Sequence, residues 1–534
     1  MNKFNYTNIV FFLLFAVGMA SCGTKATENK ENPVRPNIIY IMADDHAAQA
    51  ITAYGGIYDA LAPTPNIDRL AKEGMLMNNV FCTNAICGPS RASILTGKYS
   101  HINGYYKNES GGQFNPNQWT FPEELQKNGY QTALFGKWHL GSEPRGFDYF
   151  KFHEGGGQQG FYWNPVYNEN GKTVTEKGYA TNLTADFALK WLEGAKDKNK
   201  PFCLLLQFKA PHRNWDPDTK YVDLWEDVEM PYPETFNDDY KTREKTAGDT
   251  DMTMDDLNRR DMKLTPPENL KGKELGEWGN FGNERGEVVY PDETLSPEEN
   301  RKWKYQTYIK DYLACIKSVD DNVGRVLDYL DKNGLTDNTL VIYTSDQGFY
   351  LGEHGWFDKR FIYEESLRMP FLVRYPNKIK AGTKNSDIIS NIDFAPTILE
   401  AAGIEKPEEV QGESFFQNLE GNTSEEWQKS MYYHYYEFPF WHHVQPHYGM
   451  RNERYKLAHF YYNIDVWEFY DLEKDPNELN NQIDNKEYAS VITEMKSELI
   501  KLQEKYKVPT SLDELRKITD ADFGNVSNYK GGEH

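Results

Sequence analysis

The sequence predicts an α/β fold: a large, mostly parallel sheet between layers of helices, followed by a small C-terminal α+β subdomain with an antiparallel sheet. Three observations carry this expectation. Apolar runs bounded by proline or charge recur at 36–42, 132–135, 202–208 and 339–345, the texture of parallel strands buried on both faces. Helical patterns lie between them, at 64–71 and along a stripe from Ile309 to Leu330, and alternation of this kind implies helices covering both faces of one sheet. Beyond about residue 430 the pattern changes to aromatic strands (431–436, 455–461, 466–472) and an amphipathic helix near 488–505.

Taken in chain order, the N-terminus carries Lys3, an apolar run from Ile9 to Ala20 and then Met19-Ala20-Ser21-Cys22. A run this short fits a secretory leader rather than a spanning helix. The small residues before Cys22 resemble a bacterial lipobox, which implies a leader over 1–22, lipidation of Cys22 and export to the periplasm or surface of a Gram-negative cell. Residues 23–34 are polar and read as a flexible tether. The body then spans 35–425 with an inserted surface segment at about 213–302, and a C-terminal subdomain spans 426–534.

The first strand, from Pro36, ends in Ala43-Asp44-Asp45-His46, and the run at 339–345 ends in Asp346-Gln347-Gly348. Ligands gather at the carboxyl ends of such strands, and carboxylates with an amide oxygen are hard donors suited to calcium or magnesium. Thr64-Pro65 opens a helix with an N-cap and a proline at the first helical position. Pro89 favours a tight exit into a helix over 90–95, placing Cys87 at a helix N-terminus beside the fixed cation Arg91. By itself that describes either a reactive thiol or a buried structural one. The strand at 132–135 opens into Gly136-Lys137-Trp138-His139-Leu140-Gly141, and the run at 202–208 into Lys209-Ala210-Pro211-His212.

Cys87-Gly88-Pro89-Ser90-Arg91 with Leu95-Thr96-Gly97, and the string from Gly136 to Gly141, resemble the two signatures of the formylglycine-dependent sulfatases, members of the alkaline phosphatase superfamily. The resemblance covers roughly 35–404 and implies an alkaline-phosphatase-like sandwich. It implies that Cys87 is oxidised to formylglycine by a maturation enzyme and acts as a hydrated aldehyde. It further implies one divalent cation, calcium first and magnesium second, held by Asp44, Asp45, Asp346, Gln347 and the modified Cys87. By the same resemblance Arg91, Lys137 and Lys359 hold the sulfate, His139 takes a proton from the diol, and His212 faces the leaving oxygen.

The triplet Asp358-Lys359-Arg360 resembles exported bacterial enzymes that remove 6-O-sulfate from N-acetylglucosamine. That resemblance implies that Asp358 and Arg360 bind sugar hydroxyls, in an exo-acting enzyme on glycosaminoglycan or mucin. From Phe438 to His447 an aromatic and histidine-rich segment offers rings over the same pocket, with His447 as its expected sugar contact.

Composition narrows the field. A net charge of -22 and a pI near 5.1 exclude a nucleic-acid or anionic-membrane surface binder, leaving membrane contact to the lipid anchor alone. An anionic glycan must therefore be recognised by a local cationic pocket. Cys82, Cys87, Cys203 and Cys315 are too scattered for a disulfide framework. Three other readings stay open: a sulfatase for a 2-O-, 3-O- or 4-O-sulfate, a phosphodiesterase or phosphonate hydrolase of the same superfamily, and a non-catalytic glycan-binding lipoprotein.

Overall fold

The computed structural model describes residues 35–108, 114–195, 197, 199–264, 271, 295–439 and 441–520. The leader, Cys22 and the tether lie outside them. At the centre of a ten-stranded sheet runs Asn37–Ala43, paired in parallel with Phe202–Phe208 on one side and Thr339–Ser345 on the other. Gln131–Gly136 and Tyr149–His153 extend the parallel core. All four of the strands predicted from apolar runs are therefore present, each almost wholly buried.

The edges were not anticipated. Val166–Glu169 and Lys172–Thr175 continue one side antiparallel; on the other, Phe371–Arg374 pairs antiparallel with Thr339–Ser345 and with Met75–Met77. These strands are short or polar, as sheet edges usually are.

The helix Pro65–Glu73 begins where Thr64 and Pro65 place it, but Thr64 does not cap it. Its first free N–H groups, on Asn66 and Ile67, donate to Asp320 Oδ1 at 3.0 and 2.9 Å. Asp320 belongs to the helix Pro297–Lys332, whose start is fixed by a capping box between Ser296 and Glu299. That helix buries the stripe running from Ile309 to Leu330.

Of the surface insertion expected over about 213–302, the described residues 213–264 pack into the core instead. Trp215, Met230, Phe236, Met252, Met254, Leu257 and Met262 are buried in the main core, although most of the chain here is turn. Apolar residues at irregular spacing leave no period in the sequence to read, so the packing was hidden. Asp238 ties the segment to the catalytic body, with an oxygen 2.8 Å from His354 Nδ1, while Glu365 lies 3.7 Å from His354 Nε2.

Burial alone would lower the pKa of His354, but the two carboxylates outweigh it and raise it to about 9. The stabilisation is complete below the unfolded value near 6.5 and is lost as pH rises through about 9. We expect His354→Gln to remove on the order of 3 kcal/mol at pH 6 and much less at pH 9.5, the shift converted at about 1.4 kcal/mol per unit. Urea unfolding of both proteins at the two pH values checks this; an equal gap at both would sink it.

The C-terminal sheet runs Ser430–Tyr435, His447–Asn452, Tyr455–Phe460 and Val466–Asp471, all antiparallel, with Ala489–Tyr506 packed across it. Three of its strands were predicted and His447–Asn452 was not. Gly449 interrupts that strand's apolar pattern, and its bare Cα is required because a Cβ would strike Leu457 O and the Ile362 side chain. No described helix is long and apolar enough to cross a membrane.

Candidate active site

Parallel pairing brings four strand ends to one edge of the sheet, so the segments after Ala43, Gly136, Phe208 and Ser345 emerge together. Gly136, at φ 103°, makes one approach possible: a Cβ there would collide with Gln207 O. Above this edge lies the helix Cys87–Thr96, in which every residue is buried. Arg91 fixes it in place, with Nε donating to Asp346 Oδ2 at 3.0 Å and NH1 donating to Lys137 O at 2.9 Å and Gln207 Oε1 at 3.1 Å. With its NH2 3.4 Å from Asp44 Oδ1, one guanidinium thus reaches all four strand ends. Ser90 adds a hydrogen bond to Asp346 O.

Asp44, Asp45 and Asp346 are fully buried. Asp45, at φ 64°, donates its N–H to Asp346 Oδ1 at 3.1 Å. Lys359 Nζ lies 2.9 Å from both oxygens of Asp45. Lys137 pairs with Asp44, and the Gln347 amide donates to Asp45 Oδ1. One potential ligand atom from each of Asp44, Asp45, Cys87 and His212 lies within 4.8 Å of the others. The set gathered this tightly therefore includes His212, while Asp346 and Gln347 join it through Asp45.

These residues fit a hard divalent cation. Gln347 Oε1 is a buried acceptor with no hydrogen-bond partner, and Asp44 Oδ1 accepts none either, having only the Arg91 guanidinium at 3.4 Å; coordination relieves that costly state. Arg91, Lys137 and Lys359 only balance the three carboxylates, so a divalent cation leaves a positive surplus for an anionic ester.

Titration follows the burial. Burial raises Asp45 to about 7 against the pull of Lys359, and burial with the Asp44 charge raises Asp346 to about 6 against Arg91. Burial also opposes the charge on Asp44, yet Lys137 and Arg91 hold it well below the carboxylate range. For His139 and His212, burial and then Lys137 push the pKa well down, leaving neutral imidazoles. Burial raises the Cys87 thiol well above its ordinary value, so the encoded side chain is protonated and a poor nucleophile.

A cavity of about 700 Å³ opens over this cluster, and Cys87, His139, His212, Asp358, Lys359 and Arg360 all line it. His212 Nδ1 faces Arg213 O at 2.6 Å, and its Nε2 lies 3.8 Å from Asp45 Oδ2. His139, at φ 55°, has its Nε2 2.8 Å from the Gln159 amide. Asp358 and Arg360 flank Lys359 at φ 76° and 98°. Left-handed backbone at such residues costs about 1–3 kcal/mol each and persists only where the surroundings impose it.

His447 does not join them. It opens the strand His447–Asn452, is fully buried and stacks on Phe460. Its Nε2 accepts the Ile362 N–H at 3.1 Å and its Nδ1 faces Gln445 O at 2.8 Å, so one ring nitrogen ties the subdomain to the catalytic body and the other is used within the subdomain. The same segment contributes other residues: Trp441 lines the cavity, and His442 Nε2 lies 3.3 Å from Asp358 Oδ2.

Sequence reasoning also missed Asn108 and Arg213, both lining the cavity. Arg213 is gripped by Asp261 at 3.1 and 2.7 Å. Its place directly after His212 was the one available signal. Asn108 offered none.

An anion-balanced cluster at the carboxyl edge of an α/β sheet, beneath a cavity that a helix N-terminus also faces, defines a hydrolase of anionic esters. The chain belongs to the sulfatase family, whose profile matches residues 36–404; a second profile, N-sulphoglucosamine sulphohydrolase, C-terminal, matches 352–505.

It is 47% identical over 512 residues to an N-acetylglucosamine-6-O-sulfatase of Bacteroides thetaiotaomicron, covering 92% of this chain and 90% of that one. It is similar, at 46% identity and a TM-score of 0.83, to a protein solved in complex with its substrate D-glucosamine-2-N,6-O-disulfate, covering 90% and 99% of the two chains. A phosphonate monoester hydrolase of Agrobacterium radiobacter shares the fold, at 22% identity and a TM-score of 0.66 over 88% and 96%.

Proposed function

We propose that this chain is an exo-acting sulfatase that removes the 6-O-sulfate from N-acetylglucosamine of host-type glycans, glycosaminoglycan or mucin. The observation that carries the reading is the triplet Asp358-Lys359-Arg360, held in strained backbone on the wall of the cavity that Cys87 faces. Likeness to an N-acetylglucosamine-6-O-sulfatase and to a protein bound to a 6-O-sulfated glucosamine supports it. A cavity of about 700 Å³ suits a chain end rather than a long polymer segment.

Oxidised to formylglycine by a maturation enzyme, residue 87 would supply a hydrated aldehyde as nucleophile, while a divalent cation, calcium before magnesium, would draw charge from the sulfate. Asp44, Asp45, Asp346 and Gln347 would hold that cation. Lys359, on the cavity wall, would hold the sulfate directly, while Arg91 and Lys137, paired with Asp44 and Asp346 beneath the cavity, would add positive charge from below. His139, neutral and buried, is suited to take a proton from residue 87, and His212 to contact the leaving oxygen. Asp358 and Arg360 orient the sugar. The leader sequence supports export and anchorage through Cys22.

Sulfate release from a panel of sulfated sugars tests the reading, with modification of Cys87 first verified by mass spectrometry. Cleavage confined to 6-O-sulfated N-acetylglucosamine is expected. Cleavage of a 2-O-, 3-O- or 4-O-sulfate instead overturns the assigned position, and silence on every sugar overturns the sulfated-sugar reading.

A further inference from the structure

One strand of the C-terminal sheet reaches into the catalytic body. Ser430–Tyr435 is an edge strand, paired within its sheet only with His447–Asn452, and its side chains alternate between two faces. Tyr432 and His434 turn to the subdomain interior, where the Tyr432 hydroxyl meets His434 at 2.8 Å and His434 meets Tyr461 at 3.0 Å. Tyr433, Tyr435 and then Glu437 continue the opposite face, and all three converge on Arg360.

The Tyr433 hydroxyl donates to the Arg360 carbonyl and accepts the Ala85 N–H at 3.2 Å. Arg360 NH1 donates to the Tyr435 hydroxyl at 3.0 Å and to Glu437 Oε1 at 2.7 Å. The other oxygen of Glu437 accepts the Asn108 N–H at 2.8 Å, and Asn108 Oδ1 accepts the Gly88 N–H at 3.1 Å. Glu437 therefore bridges the triplet at Asp358–Arg360 and the turn that carries Cys87.

Stability alone is a poor reason for this arrangement. Glu437 is fully buried and Arg360 nearly so, and the desolvation of such a pair offsets most of its attraction. What the contacts do accomplish is to over-determine a residue whose φ of 98° is otherwise unfavourable. With NH1 held by Tyr435 and Glu437, and Nε donating to Asp358 Oδ1 at 3.2 Å, the guanidinium is fixed before any ligand arrives. A site organised this way spends no binding energy on ordering a long side chain.

We propose that Tyr435 and Glu437 are positioning residues for sugar recognition: they set the Arg360 fork and, through Asn108, its register against the turn at Cys87. This rests on the reading that Asp358 and Arg360 bind the sugar.

The test is steady-state kinetics of Glu437→Gln and Tyr435→Phe on whichever sulfated sugar the wild type cleaves, with melting temperatures measured alongside. Glu437→Gln should raise KM roughly tenfold, the effect of weakening one charge-assisted hydrogen bond, with kcat changed less than about threefold. Tyr435→Phe should raise KM by roughly threefold, as for loss of a neutral one. A lower kcat at unchanged KM in either variant indicates only a loss of folded enzyme and overturns the proposal, as do wild-type constants in both. If Glu437→Gln does not fold, Tyr435→Phe alone decides. A wild type that prefers a sulfate at another ring position would overturn the 6-O assignment, while the split between KM and kcat on that sugar would still decide the positioning role.

Discussion

Replacing Cys87 with alanine should abolish turnover while leaving the sulfated sugar bound. The expected fall in kcat is roughly four to six orders of magnitude, the scale seen when a hydrolase loses its nucleophile. The substitution deletes one sulfur from a buried helix N-terminus whose other anchors, Ser90 and Arg91, are untouched, so the fold should persist. Affinity for the ligand, measured by calorimetry, should stay within about threefold, because the cationic groups and the triplet remain. A variant that turns over more than a few per cent as fast as wild type would remove Cys87 from the chemistry. Equal inertness of the wild type, with its Cys87 verified as modified, would favour a glycan-binding lipoprotein instead.

Asp45→Ala should cost nearly as much activity and, unlike the first change, stability as well. Asp45 receives both short contacts from Lys359, the Gln347 amide and, more distantly, His212 and the Cys87 sulfur. Without it Lys359, itself buried, retains only Asp358 as a carboxylate partner, at 4.0 Å. Stranding one partner of a buried pair costs about 3–5 kcal/mol. The decisive readout needs no substrate: calcium at a hundred times its dissociation constant should raise wild-type stability by about 2.7 kcal/mol through mass action, seen as a higher melting temperature. The variant should gain none of it. Equal protection of both proteins by calcium would place the cation elsewhere.

The parts of this site that could be read in advance share a physical trait: they are local. Asp44 and Asp45 follow a strand that is apolar throughout, Asp346 and Gln347 follow another, and the Cys87 and Lys137 strings carry their chemistry within a dozen residues. The structure joins these groups in one cluster, Asp346 and Gln347 through Asp45 and Lys137 through Asp44. What could not be read depends on distant partners. Arg213, hinted at by its place after His212, is fixed only by Asp261, Asn108 is recognisable only through Gly88 and Glu437, and Glu437 only once the C-terminal sheet is docked.

His447 shows the opposite hazard, since a histidine among aromatics suggests a sugar platform from sequence but here closes a core with both ring nitrogens occupied. The fold divides the same way. Strands buried on both faces announce themselves, whereas Lys172–Thr175 and Thr383–Asn385 are polar edge strands that only their neighbours define.

The central strand has a consequence for the order in which this chain assembles. Asn37 is paired with Thr339, 302 residues later, and its other flank waits for Phe202–Phe208. A polypeptide emerging N-terminus first cannot close the middle of its sheet until about two-thirds of its length has been made, because pairing over such separations is the slow step of folding. Throughout that interval the turn at Cys87 has neither Asp346 nor Lys359 around it. The topology thereby acts as a clock: on the proposal that Cys87 is modified, the early period is when its thiol, only 1% exposed at the base of the finished cavity, stands open to a modifying enzyme.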